Sequence, residues 1–314
     1  MPDHQSPDPA GATSPAAASP SPRAGLPDAV RERIDAEIDR FLKQASDTAT
    51  PDAPEPVVSV WYGGIDGESW YARAALEPHY AASTMKLPLL IAAYRRHERG
   101  ELDLDREVPV HNGFTSAADG SAYALLQEDD QDDEIWDLAR ASASASLRDL
   151  VRHAIVKSGN LATNLVLERV GAGEVATVLG DAGSSGVTVL PRGIGDARAR
   201  DGGLDNLVTA QDLATVVAAV ATRSIAGEST CVEIERVLAA QEHVDKIPAG
   251  LPAGTYTANK TGWVESVAHD VALVRPEGRP PFVLAVCTTA AVPEETANQL
   301  IARVAELVWQ GAAG

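Results

Sequence analysis

Apolar residues recur at helical spacing near both ends of this chain. The two stripes predict amphipathic helices over residues 28–44 and about 294–310. Their apolar positions are Val30, Ile34, Ile38, Phe41 and Leu42 in the first helix and Ala297, Leu300, Ile301, Val304, Leu307 and Val308 in the second.

Five runs between these helices have strand-like composition and spacing. They are Val57–Tyr62, Ser69–Ala74, Thr255–Trp263, Ser266–Val274 and Phe282–Thr289. Short links join the strands within each group, which favours antiparallel pairing. The pattern therefore predicts an α+β fold, in which an antiparallel five-stranded sheet is flanked by the N- and C-terminal helices.

The middle of the chain has mainly helical patterns. Helices are predicted from Ser83 to about Gly100, from Ser146 to Gly159, over Leu161–Val170 and from Thr209 to about Thr222. Ser146 with Asp149 and Thr209 with Asp212 have the composition and spacing of helix N-caps. The acidic run Gln127–Glu134 predicts a loop because its like charges repel one another.

These patterns divide the chain into three predicted regions. Residues 1–26, which begin as a Pro-, Ala- and Ser-rich stretch, predict a disordered tail. Residues 27–100 and 223–314 predict a sheet-plus-helix domain, and residues 101–222 predict an inserted all-helical domain. Within the insertion, residues 180–206 are rich in Gly and Asp and predict irregular structure.

Composition narrows the classes of function. The net charge of −19 argues against nucleic-acid binding and against anionic membranes. No run approaches the roughly 20 apolar residues that span a bilayer, and the N-terminus lacks the pattern of a secretory signal, so a cytoplasmic location is predicted. Two cysteines do not suggest a disulfide framework, and Cys287 is expected to be a buried, inert thiol.

Three short motifs carry the candidate chemistry. They are Ser83-Thr84-Met85-Lys86, Ser158-Gly159-Asn160 and Lys260-Thr261-Gly262. A serine hydroxyl needs an adjacent base, and Lys86 lies one helical turn from Ser83, where burial would lower the pKa of its amine. Taken singly, each motif also fits an ordinary structural role: a capped helix, a helix C-cap and a strand.

In this order the motifs resemble those of class A β-lactamases and penicillin-binding proteins. The resemblance runs from about residue 27 to the C-terminus. It implies a serine acyl-enzyme site in which Ser83 attacks a β-lactam amide, Lys86 is the base and Ser158 relays a proton to the leaving group. No cofactor and no metal are implied.

The resemblance also implies a substrate-binding set. Asn160 would hold the amide carbonyl of the substrate and steady Lys86, and Lys260 would supply positive potential. Thr261 would bind a substrate carboxylate, and Gly262 would let a flat substrate approach the backbone. The Trp263 N–H would join the Ser83 N–H as an oxyanion hole. Gly159 replaces the usual aspartate of the second motif, and its loss is expected to loosen that loop rather than remove a reacting group.

The larger departure concerns release of the acyl group. Class A enzymes use a glutamate on a later loop for this step, but residues 190–206 contain none. Asp196 and Asp201 are the candidate replacements. The acidic run Gln127–Glu134 would repel anionic β-lactams if it bordered the cleft.

Three functions stay open at this point. The first is a β-lactamase that acts through Ser83. The second is an esterase or amidase that acts on another small-molecule acyl substrate, and the third is an acyl-binding module that does not turn over. The oligomeric state is also open.

Overall fold

The computed structural model describes residues 25–312. Its main sheet has five antiparallel strands in the order β2-β1-β11-β10-β9. The sheet strands are β1 (Val57–Gly64), β2 (Ser69–Arg73), β9 (Tyr256–Val264), β10 (Val267–Arg275) and β11 (Phe282–Thr289). The α+β fold with a five-stranded antiparallel sheet is therefore confirmed.

Six shorter strands form two-stranded pairs outside this sheet. They are β3 (His79–Tyr80), β4 (Glu107–Pro109), β5 (Phe114–Thr115), β6 (Ala122–Tyr123), β7 (Ser144–Ser146) and β8 (Leu207–Val208). The helices are α1 (Asp28–Thr48), α2 (Lys86–Glu98), α3 (Asp133–Arg140), α4 (Leu147–Val156), α5 (Asn160–Val170), α6 (Ala172–Ala182), α7 (Ala197–Asp201), α8 (Ala210–Ala221), α9 (Glu228–Ala239) and α10 (Glu294–Gly311). A short 3₁₀ turn, Ala82–Met85, leads directly into α2.

The two faces of the sheet are covered by different helices. On one face α1 and α10 bury the two apolar stripes that the sequence shows, with Ile34, Ile38, Ile301 and Val304 fully buried. On the other face α8 packs against β1, β10 and β11. The remaining helices extend the core on this second side. The strand order leaves β9 at one edge of the sheet, where it contacts the 3₁₀ turn Ala82–Met85.

Both predicted capping pairs are present. The Ser146 hydroxyl accepts a hydrogen bond from the Asp149 N–H at the start of α4, and the Thr209 hydroxyl accepts one from the Asp212 N–H at the start of α8. These contacts satisfy backbone donors that have no partner inside the helix. They fix where α4 and α8 begin.

The acidic run is not a simple loop, which corrects the prediction. Residues Gln127–Asp129 form a 3₁₀ turn, and α3 begins at Asp133 within the run. Asp133 and Glu134 lie in the first turn of α3, where negative charge is favourable, and the helix buries Ile135 and Trp136. The burial of these apolar side chains offsets the charge repulsion on which the loop prediction depended.

Three other helices were not predicted. The 180–206 segment contains the short helix α7, while α6 and α9 complete the helical side of the core. Ser83 lies in the 3₁₀ turn, and the α-helix proper begins at Lys86.

Residues 1–24 of the predicted tail lie outside the described residues, whereas Leu26 is buried against α1 and α10. The domain boundaries stay a prediction. Cys287 is fully buried, as expected. Within residues 25–312, no helix has the length and apolar character to cross a membrane, and the cytoplasmic location stays a prediction.

Candidate active site

Residues of the first two motifs line one cavity of about 580 Å³, and Trp263, which follows the third motif, lines it as well. It lies between the 3₁₀ turn that carries Ser83, the α4–α5 connection that carries Ser158 and Asn160, and the end of β9 that carries Trp263. The cavity is lined by Tyr80, Ala82, Ser83, Met85, Ala124, Leu125, Leu126, Glu128, Asp129, Asp130, Gln131, Ser158, Asn160, Ile194, Gly195, Trp263, Val264 and Glu265.

The backbone around Ser83 is held in a narrow space. Ala82 has a φ of 45°, a left-handed conformation that L side chains adopt at a cost. A Cβ added to Gly262 would lie 3.0 Å from the Ser83 nitrogen and 2.9 Å from the Thr84 nitrogen. Gly262 therefore lets β9 pack directly against the turn that presents the serine.

Lys86 is buried beneath the second motif, with 1% of its surface exposed. Its Nζ donates to the Ser158 carbonyl oxygen at 2.6 Å, to Asn160 Oδ1 at 2.9 Å and to Ser158 Oγ at 3.4 Å. Ser158 adopts a φ of 59°, which allows both of its oxygens to face the amine. No hydrogen bond joins Ser83 Oγ to another group among the described residues.

Lys260 reaches the same hydroxyl from the sheet. Its side chain is fully buried, and its Nζ donates to Ser158 Oγ at 3.0 Å and to the Thr261 carbonyl oxygen at 2.8 Å. Ser158 Oγ is therefore the point at which the lysines of the first and third motifs converge.

Burial changes the acid–base properties of both lysines. Loss of solvation lowers the pKa of Lys86 to about 7, although Asp130 and Asp132 act in the opposite direction. Burial, followed by repulsion from Lys86, lowers the pKa of Lys260 well below its usual value. A neutral amine near pH 7 is the form that a general base requires.

The other residues of the third motif differ in exposure. Thr261 is 2% exposed and does not line the cavity, whereas Trp263 is 42% exposed and does line it. The binding role of Thr261 and the oxyanion role of the Trp263 N–H stay predictions.

The acidic run supports the second motif from outside. The Asp130 carboxylate accepts from the Asn160 and Leu161 N–H groups at 2.8 Å each, and from the Trp136 indole at 2.9 Å. The Asn160 side-chain amide donates to the Asp129 carbonyl oxygen at 2.8 Å. Asp130 thus caps the N-terminus of α5, and Asn160 is oriented with its Oδ1 toward Lys86.

Asp132 occupies the space beside Gly159. A Cβ on Gly159 would lie 2.7 Å from Asp132 Oδ2, and Asp132 is itself 2% exposed. His153 Nδ1 donates to this oxygen at 2.8 Å, and that hydrogen bond raises the pKa of His153. The loop that the glycine was expected to loosen is therefore braced by a carboxylate from a segment 27 residues earlier in the chain.

Neither candidate for the deacylation carboxylate lines the cavity. Asp196 is 1% exposed, and its carboxylate accepts from Ser116 Oγ and from the Ala117 and Ala199 N–H groups. Burial opposes its ionisation, but these donors outweigh burial and lower its pKa. Asp201 is exposed at the end of α7 and pairs with Arg200.

The segment that should carry that carboxylate presents other groups instead. From residues 190–206, Ile194 and Gly195 are the residues that line the cavity. Asn164 holds Ile194 in place through both backbone groups, with the Ile194 N–H donating to Oδ1 at 2.9 Å and Nδ2 donating to the Ile194 carbonyl oxygen at 2.8 Å. An aliphatic side chain and a glycine cannot take a proton from water.

Comparison with known families agrees with this geometry. Residues 38–312 match the model of the beta-lactamase enzyme family. The chain belongs to that family. Because the match includes all three motifs, it covers every residue of the candidate site.

One relative of this beta-lactamase family member aligns with part of the chain. Beta-lactamase AST-1 of Nocardia asteroides is 28% identical over 229 residues, which are 65% of this chain and 66% of that protein. This chain therefore aligns with slightly less than two thirds of that relative's length.

Solved structures share the fold at low identity. The beta-lactamase from Sphaerobacter thermophilus DSM 20745 superposes with a TM-score of 0.70 at 23% identity, covering 88% of this chain and 97% of the other. A protein described as PBP-A superposes with a TM-score of 0.70 at 19% identity, covering 91% and 98%.

Sequence reasoning overlooked three residues that shape this beta-lactamase-family site. Asp130 and Asp132 belong to the acidic run for which the sequence predicts a loop, and Ile194 belongs to the segment whose predicted site residues are Asp196 and Asp201. A signal was available for Asp132, because a glycine in place of an acid leaves room for a carboxylate from elsewhere in the chain. No local signal pointed to Ile194.

Proposed function

We propose that the protein is a serine acyl-enzyme hydrolase that opens β-lactam amides through Ser83. The observation that carries the proposal is the convergence of two buried lysines on Ser158 Oγ at the edge of the cavity that contains Ser83. Burial lowers the pKa of Lys86 to about 7, which suits proton transfer near neutral pH, and burial lowers the pKa of Lys260 as well.

The first step is attack on the carbonyl carbon. Neutral Lys86 removes the Ser83 proton, and Ser83 Oγ forms a bond to the amide carbon while the carbonyl π electrons move to oxygen. The backbone N–H groups of Ser83 and Trp263 are the proposed donors to that oxyanion. The two lie on elements that Gly262 allows to touch.

The second step breaks the C–N bond. The oxyanion re-forms the carbonyl, and the departing nitrogen takes the proton of Ser158 Oγ. Ser158 recovers a proton from Lys86, which holds the one removed from Ser83, or from Lys260 at 3.0 Å. The product of this step is an ester between Ser83 and the acyl group.

Release of that ester requires attack by water, and the site offers fewer groups for this step than for acylation. Ile194 and Gly195 are the groups that residues 190–206 place in the cavity, so no carboxylate from this segment activates water. We therefore infer that acylation of Ser83 is faster than hydrolysis of the β-lactam acyl-enzyme.

The same observation supports a second candidate function. An ester substrate needs less assistance for its leaving group, and an acyl group that deacylates without a dedicated base would still be turned over. Action on an ester or another amide, or retention of the acyl group without turnover, are both compatible with Ile194 in the cavity.

Intact mass measurement separates these functions. The protein is incubated with a chromogenic cephalosporin and with a short-chain nitrophenyl ester, and product and protein mass are followed together. Colour without a lasting adduct supports a β-lactamase, ester turnover alone supports an esterase, and a stable one-to-one adduct supports acyl retention. Adduct formation or turnover at the wild-type rate by Ser83→Ala would overturn the proposal.

A further inference from the structure

The mouth of the candidate cavity has a strongly one-sided charge. Four of the residues that line it are acids, Glu128, Asp129, Asp130 and Glu265, and none is an arginine or a lysine. Glu128 and Asp129 come from the 3₁₀ turn before α3, and Glu265 comes from the β9–β10 turn. Carboxylates therefore border the cavity from two separate parts of the fold.

Three of these carboxylates have no structural task. Those of Glu128, Asp129 and Glu265 are exposed and make no hydrogen bond or ion pair among the described residues, whereas the Asp130 carboxylate caps α5. Solvated, unpaired charges at the mouth of a cleft create a field that selects the charge of an approaching ligand.

The positive groups of the site do not cancel this field. Lys86 and Lys260 are buried below the cavity floor and donate to Ser158. Burial lowers the pKa of Lys86 to about 7, so this amine carries only part of a positive charge near neutral pH. The mouth therefore stays negative.

An independent feature of the same mouth favours a cation. Trp263 is 42% exposed and lines the cavity two residues before Glu265. An aromatic ring beside carboxylates is a favourable environment for an ammonium group.

Asn160 relates this charge to the substrate. The resemblance implies that Asn160 holds the amide carbonyl of the substrate, and its side-chain amide donates to the Asp129 carbonyl oxygen at 2.8 Å. A substrate held by Asn160 would therefore lie beside the turn Gln127–Asp129.

We propose that the site selects acyl substrates that carry an ammonium group near the acylated carbonyl, and that Glu128, Asp129 and Glu265 determine this preference. The inference rests on the proposed function, because it assigns the charge of the acyl portion that Ser83 attacks.

Three penicillins that differ at one carbon provide the test. Benzylpenicillin has an uncharged phenylacetyl side chain, ampicillin carries an ammonium on the α-carbon of that group, and carbenicillin carries a carboxylate there. The second-order rate of adduct formation at Ser83 is measured by intact mass at low and high salt. We expect ampicillin to exceed carbenicillin by about ten-fold or more at low salt, with the ratio falling as salt rises.

A triple variant identifies the source of the preference. Glu128→Gln, Asp129→Asn and Glu265→Gln together should reduce the ampicillin-to-carbenicillin ratio to within about three-fold. The matched control neutralises three exposed acids elsewhere, Asp28→Asn and Glu32→Gln at α1 and Glu277→Gln at the opposite end of β10 from Glu265. It makes the same change in net charge and should leave the ratio within about two-fold of the wild-type value.

The outcomes distinguish the inference from the function on which it rests. Adducts at Ser83 that form at equal rates, or fastest with carbenicillin, overturn the charge preference alone. A control variant that lowers the ratio as much as the triple variant assigns the effect to net charge and overturns the role of the three acids. Absence of both an adduct and ring opening with all three penicillins, or persistence of either in Ser83→Ala, overturns the proposed function and the inference with it.

Discussion

The replacement Gly159→Ala tests whether Asp132 takes the space beside the second motif. Gly159 has φ −60° and ψ 126°, angles that alanine adopts freely, so the backbone itself does not oppose the change. The new Cβ would lie 2.7 Å from Asp132 Oδ2 and 3.0 Å from Asp132 Cβ, both inside an ordinary contact of 3.4 Å or more. The cost therefore arises from Asp132.

The magnitude combines two opposing effects. Overpacking in a buried region costs about 1–3 kcal/mol, and replacing glycine in an allowed conformation stabilises by about 0.4–1 kcal/mol through the unfolded chain. The net loss should be about 1–2 kcal/mol, or a few degrees of melting temperature at about 2–4 °C per kcal/mol. Because the displaced Asp132 lies close to Lys86, the rate of Ser83 acylation should fall as well.

Urea unfolding of four proteins provides the assay: wild type, Gly159→Ala, Asp132→Gly and the double variant. In the Asp132→Gly background the clash is absent, so Gly159→Ala should become neutral or stabilising. This reversal of sign is the decisive result. An equal cost of Gly159→Ala in both backgrounds would show that Asp132 does not fill this space.

Gly159→Asp combined with Asp132→Gly should return a carboxylate to the motif and recover part of the acylation rate that Asp132→Gly loses.

Three further predictions concern the chemistry. Below the Lys86 pKa of about 7, the acylation rate should rise about ten-fold for each unit of increasing pH, and above it the rate should level off, because the neutral base is the reactive form. A stopped-flow acylation rate that is constant from pH 5 to 9 would contradict this role. Gly262→Ala should slow acylation by about ten-fold or more, because its Cβ would lie 2.9 Å from the Thr84 nitrogen and displace the turn that presents Ser83; an unchanged rate of adduct formation would disprove the close approach. Ile194→Glu should speed release of a benzylpenicillin adduct by about ten-fold or more, whereas the control Ile194→Gln, which has the same shape as the glutamate variant, should not. Adduct lifetimes are followed by intact mass, and equal lifetimes for the two variants would show that a missing base does not limit release.

Local patterns predicted the framework well. The stripes of α1 and α10 and the caps at Ser146 and Thr209 depend on side chains a few residues apart, so spacing alone reveals them. Charge repulsion gave the wrong structure for the acidic run, because the burial of Ile135 and Trp136 in α3 is a tertiary contact that the run itself does not contain.

The sequence by itself determined which chemical groups this protein has: two serines, two lysines, an amide and two glycines in three short motifs, and no glutamate within residues 190–206. Only the tertiary structure decided what those groups can do. It buries Lys86 and Lys260 within hydrogen-bonding distance of the Ser158 hydroxyl, places Asp132 beside Gly159 and places Ile194 in the lining of the cavity. The physical reason is range, since helix faces and caps depend on neighbours in the chain, whereas burial, pKa and steric fit depend on residues that only folding brings together.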